Sequence, residues 1–368
     1  MKRVAVYSHN IRTLFDAHAE QGTGGAEFQL LTLAQRLQRR GHPVAFLVGD
    51  VQSDTVEERD GFTFIKCVSA GERSPFRKLG TFLKAFRLSR AYIFIERGSS
   101  TLTFWFAACA MLFGKKFVFC AASDINFALD EVDLSFTNRF QQRLYHLGLR
   151  LARSIIVQKE QQRSLVHENI HREADVVNNF VAEPGPYSAQ GLSPSDVLWI
   201  SNIIPYKQPE LFLEAARALP RVRFRMIGGS RDGGYFQKIR DAAVAIPNLE
   251  FLGYIPAQRV GAFIARTCIL ANTTRVQGKY EEGFPNSFLQ AWQQGVPVVS
   301  LISNPDHILG RFGIGICSGS NAQFMKDVVS LVVDPARRKQ MGERGRAYVA
   351  EFHNASTIEE AYCRILGV

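Results

Sequence analysis

Short runs of β-branched and aromatic residues alternate with segments of helical period along almost the whole chain. RVAVYSH, PVAFLVGD and FVFCAASD are three such runs, and GAEFQLLTLAQRLQRRGH is one of the helical segments between them. Strands that form continuous apolar runs are typical of a parallel sheet that is buried on both faces and connected by helices. The alternation therefore predicts an α/β fold built from βαβ units.

The alternation stops once, in a segment rich in Pro, Gly and Ser that ends at residue 195, and resumes at VLWISN. A chain of 368 residues is also longer than a single hydrophobic core usually supports. We therefore predict two Rossmann-like, doubly wound domains, residues 1–182 and a second domain from residue 196, joined by a linker at 183–195. Ligands of such sheets bind beyond the carboxyl ends of the strands, so a cleft between facing domains is the expected site.

Charge and cysteine content narrow the class of protein. A formal net charge of +10 favours an anionic partner: a nucleic acid, an anionic membrane surface or a phosphorylated small molecule. The six cysteines form no C-x-x-C pair, which predicts buried free thiols in a reducing cytoplasm and no zinc site. No signal-peptide apolar region follows the N-terminus, and the apolar run at 101–114 is too short to span a bilayer, so we interpret it as a buried helix.

A glycine cluster, GTGGAEF, opens the first long helical segment. Gly24 and Gly25 would let backbone N–H groups approach a sugar or an anion at the helix start. The pattern is not a dinucleotide fingerprint, because Glu27 occupies the third glycine position. A tight turn without a ligand explains this segment equally well.

Two segments of the second half place charged side chains near helix starts. Lys207 lies in a loop between the strand VLWISN and a helix that we predict to begin near Pro209. In EEGFPNSFLQAW, Glu282 precedes a Gly-Phe-Pro-Asn turn, in which Pro285 suits the first helical position. A helix N-terminus attracts anions, although Glu282 could equally cap its own helix.

Together these segments resemble the retaining GT-B glycosyltransferases of family 4, over nearly the whole chain. The matching elements are GGAE at 24–27, SNIIPYK at 201–207, RFRMIGG at 223–229, NLEFLGYI at 248–255 and EGFPNSFLQAWQQGVPVVS at 282–300. The resemblance implies an acceptor site on the first domain and a nucleotide-sugar site on the second, with no metal and no cofactor. It also implies that a C-terminal tail, from about 352 to 368, returns to the first domain, so that the second domain ends near 351.

The resemblance assigns donor-site roles to residues of the second domain. Glu282 matches the glutamate that contacts the transferred sugar, and Lys207 matches the diphosphate lysine. Gln290 stands where the family has a second glutamate for the ribose, and Asn202 stands where it often has an arginine. Arg275 or Arg231 could supply the missing cation. The other expected donor or phosphate residues are Gly283, Phe284, Pro285, Asn286, Ser287 and Ile255.

On the acceptor side, Asp124 lies near the position where the family often has a catalytic or positioning histidine. Glu96 and Arg97 end a neighbouring strand and, with Gly24, Gly25 and Glu27, form the expected acceptor-side loops. Caps and local ion pairs are the alternative roles for Asp124, Glu96 and Arg97.

We therefore predict an enzyme that transfers a sugar, with retention, from a nucleotide-diphosphate sugar to a glycan or lipid-linked acceptor in cell-surface polysaccharide or glycoconjugate synthesis. A UDP-sugar epimerase or hydrolase on the same fold, and a non-enzymatic basic binder, are the alternatives. No basic run with interleaved aromatic residues supports nucleic acid as a partner.

The basic segment 73–90 could hold the enzyme against the inner membrane face. Its apolar residues suit burial in a core equally well. They are Phe76, Leu79, Phe82, Leu83 and Phe86.

Overall fold

The computed structural model describes residues 1–15, 24–49, 55–68, 75–129, 131, 136–182, 196–230, 232–276 and 280–368. Within this part of the chain there are two compact units: the first holds residues up to 178 and Ser356–Val368, and the second holds Asn179–Ala355. The predicted linker, 183–195, lies outside the described residues. Each unit contains a largely parallel sheet with helices, which confirms the predicted fold class of two Rossmann-like α/β domains.

The described part of the first unit contains an eight-stranded sheet. Its strands are β1 (Val4–Tyr7), β2 (Val44–Val48), β3 (Val56–Arg59), β4 (Phe62–Lys66), β5 (Ile93–Arg97), β6 (Lys116–Cys120), β7 (Ser154–Val157) and β8 (Asp175–Val176). The helices are α1 (Gly25–Arg39), α2 (Pro75–Leu88), α3 (Thr103–Leu112), α4 (Arg139–Leu151) and α5 (Glu160–Leu165). The strand order is β3-β4-β2-β1-β5-β6-β7-β8, and the β3–β4 pair is antiparallel. The order reverses at β1, so the loops after β1 and β5 share one edge of the sheet.

The second unit contains a six-stranded sheet in which every neighbouring pair is parallel. Its strands are β9 (Asp196–Ile200), β10 (Phe224–Ile227), β11 (Leu249–Gly253), β12 (Thr267–Asn272), β13 (Val298–Ser300) and β14 (Gly315–Cys317). The helices are α6 (Pro209–Ala218), α7 (Gly233–Val244), α8 (Ala257–Ile264), α9 (Asn286–Gln293), α10 (Ile308–Arg311), α11 (Asn321–Val332) and α12 (Pro335–Phe352). The order β11-β10-β9-β12-β13-β14 reverses between β9 and β12, and ligands of such sheets bind at that switch point.

Aromatic rings form much of the core of the first unit. The rings of Phe86 and Phe94 stack with their centroids 4.2 Å apart, and Phe82 meets Phe106 edge-on at 4.9 Å. Aromatic side chains bury large apolar areas, so the 28 phenylalanines of the sequence are consistent with this packing.

The prediction of a buried helix at 101–114 is wrong at its C-terminal end. Met111, Leu112 and Phe113 are 61%, 76% and 58% exposed, because only one face of α3 packs against the unit. Of the apolar residues of α2, Phe82 and Phe86 are buried, whereas Leu83 is exposed. The prediction of buried thiols fails at one position, since Cys317 ends the short edge strand β14 and is exposed.

No helix among the described residues has the length and apolar character needed to cross a bilayer.

The last helix, α13 (Ala355–Leu366), lies almost wholly in the first unit and is held to α1 and β6 of that unit by charged groups. Glu359 lies between Arg36, at 2.8 Å, and Arg40, both on α1. Lys116 Nζ donates to the backbone oxygen of Leu366 at 3.1 Å.

Candidate functional site

Lys207 and Glu282 meet at the switch point of the second sheet. Lys207 ends a 3-10 turn that follows β9, and Glu282 lies in the segment between β12 and α9. The Nζ atom of Lys207 forms an ion pair with Oε1 of Glu282. The Lys207 side chain is 5% exposed and that of Glu282 is 25% exposed, so one edge of the pair is open. Because β9 and β12 are paired in parallel, two residues far apart in sequence become neighbours.

The environment of Lys207 favours its charged form. Burial opposes the charge, but the Glu282 carboxylate and the Tyr206 hydroxyl outweigh it and raise the pKa of Lys207. The Tyr206 ring centroid also lies 4.9 Å from Nζ, within the range of a cation–π contact. A protonated lysine is thus held beside a carboxylate at the carboxyl edge of the sheet.

The turn before α9 is fixed by packing. The Phe284 ring is buried against His353, with centroids 5.2 Å apart, and against Trp292 at 6.4 Å. The helix begins at Asn286, one residue later than predicted, because Pro285 has the extended angles of a residue that precedes a helix. Gly283 and Pro285 are buried, and no side chain caps the helix start.

Asn179 and His353 support this turn from behind, and neither was predicted from the sequence. Asn179 Nδ2 donates to the backbone oxygen of Phe284 and to Oδ1 of Asn286, each at 3.2 Å. Burial lowers the pKa of His353 to about 4, and its neutral Nδ1–H donates to the Asn179 oxygen at 2.9 Å. The Asn286 side chain therefore holds the turn, while Ser287 remains partly exposed at the helix start.

The other predicted donor residues lie along the same edge of the sheet. Asn202 follows β9 and Gln290 lies in the second turn of α9, both half-buried. Ile255 follows β11, two strands away from β9, and packs against the core beside α9. Arg275 is exposed, and its backbone N–H donates to the Tyr206 oxygen at 3.0 Å. Arg231 lies outside the described residues.

In the first unit, the two described glycines of the cluster, Gly24 and Gly25, lie at the start of α1. The helix begins at Gly25, and Gly24 precedes it in an extended conformation. The Glu27 carboxylate folds back over this start, since Oε2 would lie 2.7 Å from a Cβ added to Gly24. A negative charge already occupies the helix N-terminus, which favours a hydroxyl-bearing ligand there over a phosphate.

Asp124, predicted as a catalytic residue, lies in a buried ion pair. Its Oδ2 meets Lys159 Nζ at 3.0 Å, and its Oδ1 accepts from Gln162 Nε2 at 3.0 Å. Asp124 and Lys159 are both buried. These contacts tie the turn after β6 to α5 and support the structural alternative for Asp124.

Glu96 and Arg97 end β5 but have different surroundings. Glu96 is 1% exposed, and the Ser100 hydroxyl donates to its Oε1. Burial raises the pKa of Glu96 to about 7, against the opposing effect of hydrogen bonds from Ser100 and Thr103. Arg97 instead lies beside Tyr362 of α13.

Replacing Glu96 with glutamine should remove a pH dependence of stability. The folded-state pKa of about 7 exceeds the ordinary 4.5, so the folded protein keeps this proton and loses stability as the pH rises from 4.5 to 7. We expect the variant, relative to the wild type, to gain about 2–3 kcal/mol in unfolding free energy between pH 5 and pH 8. Urea unfolding at both pH values measures this difference. The exposed Glu343→Gln variant is the control, and an equal pH dependence in wild type and Glu96→Gln would disprove the assignment.

Among the described residues, no group of three His, Cys, Asp or Glu side chains is arranged to hold a metal ion.

Two family models match the chain, one over most of the first unit and the start of the second, and one within the second. The model described as Glycosyl transferases group 1 matches residues 194–334, and the model described as Glycosyltransferase Family 4 matches residues 23–183.

The curated relatives are distant and are matched over part of their length. The lipopolysaccharide core biosynthesis glycosyltransferase LpsE of Rhizobium meliloti (strain 1021) is 24% identical over 204 residues, which cover 53% of this chain and 58% of the relative. The GDP-mannose-dependent monoacylated alpha-(1-6)-phosphatidylinositol monomannoside mannosyltransferase of Corynebacterium glutamicum is 28% identical over 159 residues, which cover 40% of this chain and 41% of the relative. The chain thus spans about half the length of these relatives.

Among solved structures, Anabaena Alr3699/HepE in complex with UDP and glucose superposes with a TM-score of 0.75. The sequence identity is 14%, and the match covers 100% of both chains. At this sequence identity, the structural similarity shows a shared fold.

Proposed function

Because this chain belongs to glycosyltransferase family 4, among the glycosyl transferases of group 1, we propose that it transfers a sugar from a nucleotide-diphosphate sugar to a glycan or lipid-linked acceptor with retention of configuration. The observation that carries the proposal is the Lys207–Glu282 pair at the switch point between β9 and β12. Ligands of doubly wound sheets bind at this point, and the pair offers one cation and one carboxylate there.

Lys207 and the start of α9 stabilise the leaving group in this proposal. In the transfer, the bond between the anomeric carbon and the diphosphate breaks, the oxygen of the acceptor hydroxyl bonds to that carbon, and the hydroxyl proton passes to the departing diphosphate. Negative charge then grows on the diphosphate. A buried lysine and the uncapped amides of a helix N-terminus are suited to stabilise such charge, since neither has to reorganise during the reaction.

Glu282 and Gln290 recognise hydroxyl groups in this proposal. Glu282 orients the transferred sugar, because its carboxylate is partly exposed beside the cation. Gln290 hydrogen-bonds the ribose as an amide, without the added strength of a charged acceptor. Asn202 stands where the family often has an arginine, and Arg275 supplies the missing cation in this proposal. The backbone of Arg275 is hydrogen-bonded to Tyr206, next to Lys207, and the Arg275 side chain is exposed.

The relatives suggest which donors and acceptors to try first. One solved relative holds UDP and glucose, and the Corynebacterium relative is named as GDP-mannose-dependent. The Rhizobium relative is named for the synthesis of lipopolysaccharide core. We therefore propose a role in cell-surface polysaccharide or glycoconjugate synthesis, with UDP- and GDP-sugars as the first donors to screen.

A product analysis separates transfer from the alternative reactions on this fold. The purified chain is incubated with UDP- or GDP-sugars, with and without a glycan or lipid-linked acceptor. A transferase releases nucleotide diphosphate in step with formation of a new glycoside, whereas an epimerase or hydrolase acts on the donor alone. Equal turnover with and without acceptor would overturn the proposed reaction.

A second element of the proposal is contact with an anionic membrane through the first unit. Glu96 is the only acidic residue between positions 73 and 123, and it is buried. Exposed basic residues of α2 and its end include Lys84, Arg87 and Arg90. The exposed end of α3 lies close to α2, because the Phe113 ring lies 6.0 Å from that of Phe86 on α2. An apolar tip beside exposed cations suits an anionic bilayer.

Vesicle sedimentation tests this contact. We expect the wild type to pellet with vesicles containing phosphatidylglycerol at low salt but not with neutral vesicles. Leu112→Ser combined with Phe113→Ser should lower the bound fraction severalfold, because two apolar side chains no longer enter the bilayer. Val333→Ser, at an exposed position of the second unit, is the matched control. Equal binding by both variants, or no preference for anionic vesicles, would contradict the proposal.

A further inference from the structure

Two adjacent threonines just beyond β12, Thr273 and Thr274, are both buried, and each contacts one member of the Lys207–Glu282 pair. The Thr273 hydroxyl donates to the backbone oxygen of Lys207 at 2.6 Å. It also accepts a hydrogen bond from Trp199 Nε1 at 2.9 Å. Thr273 therefore ties the Lys207 backbone to a fully buried side chain of β9.

Thr274 holds the other member of the pair. Its hydroxyl donates to Oε2 of Glu282 at 3.4 Å, whereas the ion pair with Lys207 is formed by Oε1. Its backbone N–H donates to Oδ1 of Asn272 at 3.2 Å, and Ser300 on β13 donates to the same atom. Glu282 is thus linked through Thr274 to the ends of two central strands.

We propose that Thr273 and Thr274 are positioning residues for the donor site, Thr273 acting on Lys207 and Thr274 acting on Glu282. This inference rests on the proposed function of the pair. An ion pair alone restrains neither partner in direction, whereas two hydroxyl groups anchored to adjacent strands fix where the cation and the carboxylate lie. Displacement of reacting groups by about 1 Å can cost about 100-fold in rate, so such restraints matter to turnover.

The two positions should give different kinetic effects, because Lys207 is assigned to the diphosphate and Glu282 to the sugar. Thr273→Val should weaken binding of UDP or GDP alone by about tenfold and also lower kcat, by releasing the Lys207 backbone. Thr274→Val should leave nucleotide affinity within about twofold and lower kcat about tenfold, by releasing Glu282. Thr273→Ser and Thr274→Ser keep a hydroxyl group. They should therefore retain most of the nucleotide affinity and kcat that the valine variants lose.

Thr267→Val is the matched control for a purely structural role. Thr267 is also buried, at the opposite end of β12, and its hydroxyl donates to the Phe263 oxygen at 2.8 Å. This variant should lose folding stability without changing nucleotide affinity or kcat. Equal loss of affinity and kcat in all three valine variants, in proportion to stability, would overturn the positioning role, as would unchanged values at Thr273 and Thr274.

Crystal structures of Thr273→Val and Thr274→Val test the positioning role of the two threonines independently of the proposed function. If the wild type binds no nucleotide and transfers no sugar, the proposed function fails. The positioning role is then supported if Glu282 rotates away in Thr274→Val and the Lys207 loop shifts in Thr273→Val. Unchanged geometry in both variants would overturn it.

Discussion

Replacing Lys207 with alanine is expected to lower the kcat of sugar transfer by about 100- to 1000-fold. The loss follows from the removal of the buried cation that stabilises charge on the departing diphosphate. The fold should survive, because Glu282 is partly exposed and keeps its hydrogen bond from Thr274. Steady-state kinetics with a saturating donor, together with circular dichroism, measure both effects.

Two further variants, one at the partner of Lys207 and one at a distant control position, are needed to interpret the kinetics of Lys207→Ala. Glu282→Gln should also lower kcat strongly, because the amide keeps the shape of the carboxylate and loses its charge. Lys339→Ala, at an exposed position of α12, should change neither kcat nor stability. Turnover that stays at the wild-type level in both Lys207→Ala and Glu282→Gln would refute the roles assigned to the pair.

Replacing Gly228 with alanine is expected to lower the free energy of unfolding by about 3 kcal/mol. Gly228 follows β10, and a Cβ there would lie 2.2 Å from the Ser201 backbone oxygen and 3.1 Å from Ile203 Cγ1. The Ser201 oxygen belongs to the backbone and cannot rotate aside as the end of a flexible side chain can. The loop after β9 must therefore move to make room for the added Cβ. Because that loop leads to Lys207, transfer should fall as well. Urea unfolding and donor titration measure the two losses.

Gly233→Ala is the control for this substitution. An added Cβ at Gly233 meets no atom within 4 Å, and the residue begins α7. We expect its unfolding free energy to stay within about 0.5 kcal/mol of the wild type. If Gly228→Ala were equally neutral, the close approach of the two loops would not be a constraint on this site.

The fold was predictable from the sequence because most strands of both sheets are short, buried and parallel to their neighbours, the antiparallel β3–β4 pair being an exception. Such strands appear as continuous apolar runs, and the helices between them keep a clear period. The chemistry of the second unit was predictable in part for the same reason. Lys207 and Glu282 each follow a recognisable strand, and strand ends in a doubly wound sheet share one edge.

The contacts around the site were not predictable, because they depend on residues distant in sequence. Asn179 and Phe284 are separated by 105 positions in the sequence, and Asp124 and Lys159 by 35. A local sequence pattern therefore does not reveal either contact. The exposed end of α3 was missed for a related reason, since periodicity identifies a helix but not the length of its buried face. Thr273 and Thr274 had one usable signal, their position just after the strand CILAN.

A crystal structure with bound UDP or GDP, chosen as the nucleotide with the larger thermal shift, tests the central claim most directly. We expect diphosphate oxygens within about 3 Å of Lys207 Nζ and facing the first amides of α9, with Glu282 turned toward the sugar position. A diphosphate bound elsewhere, with the Lys207–Glu282 pair unchanged, would show that the pair does not form the donor site.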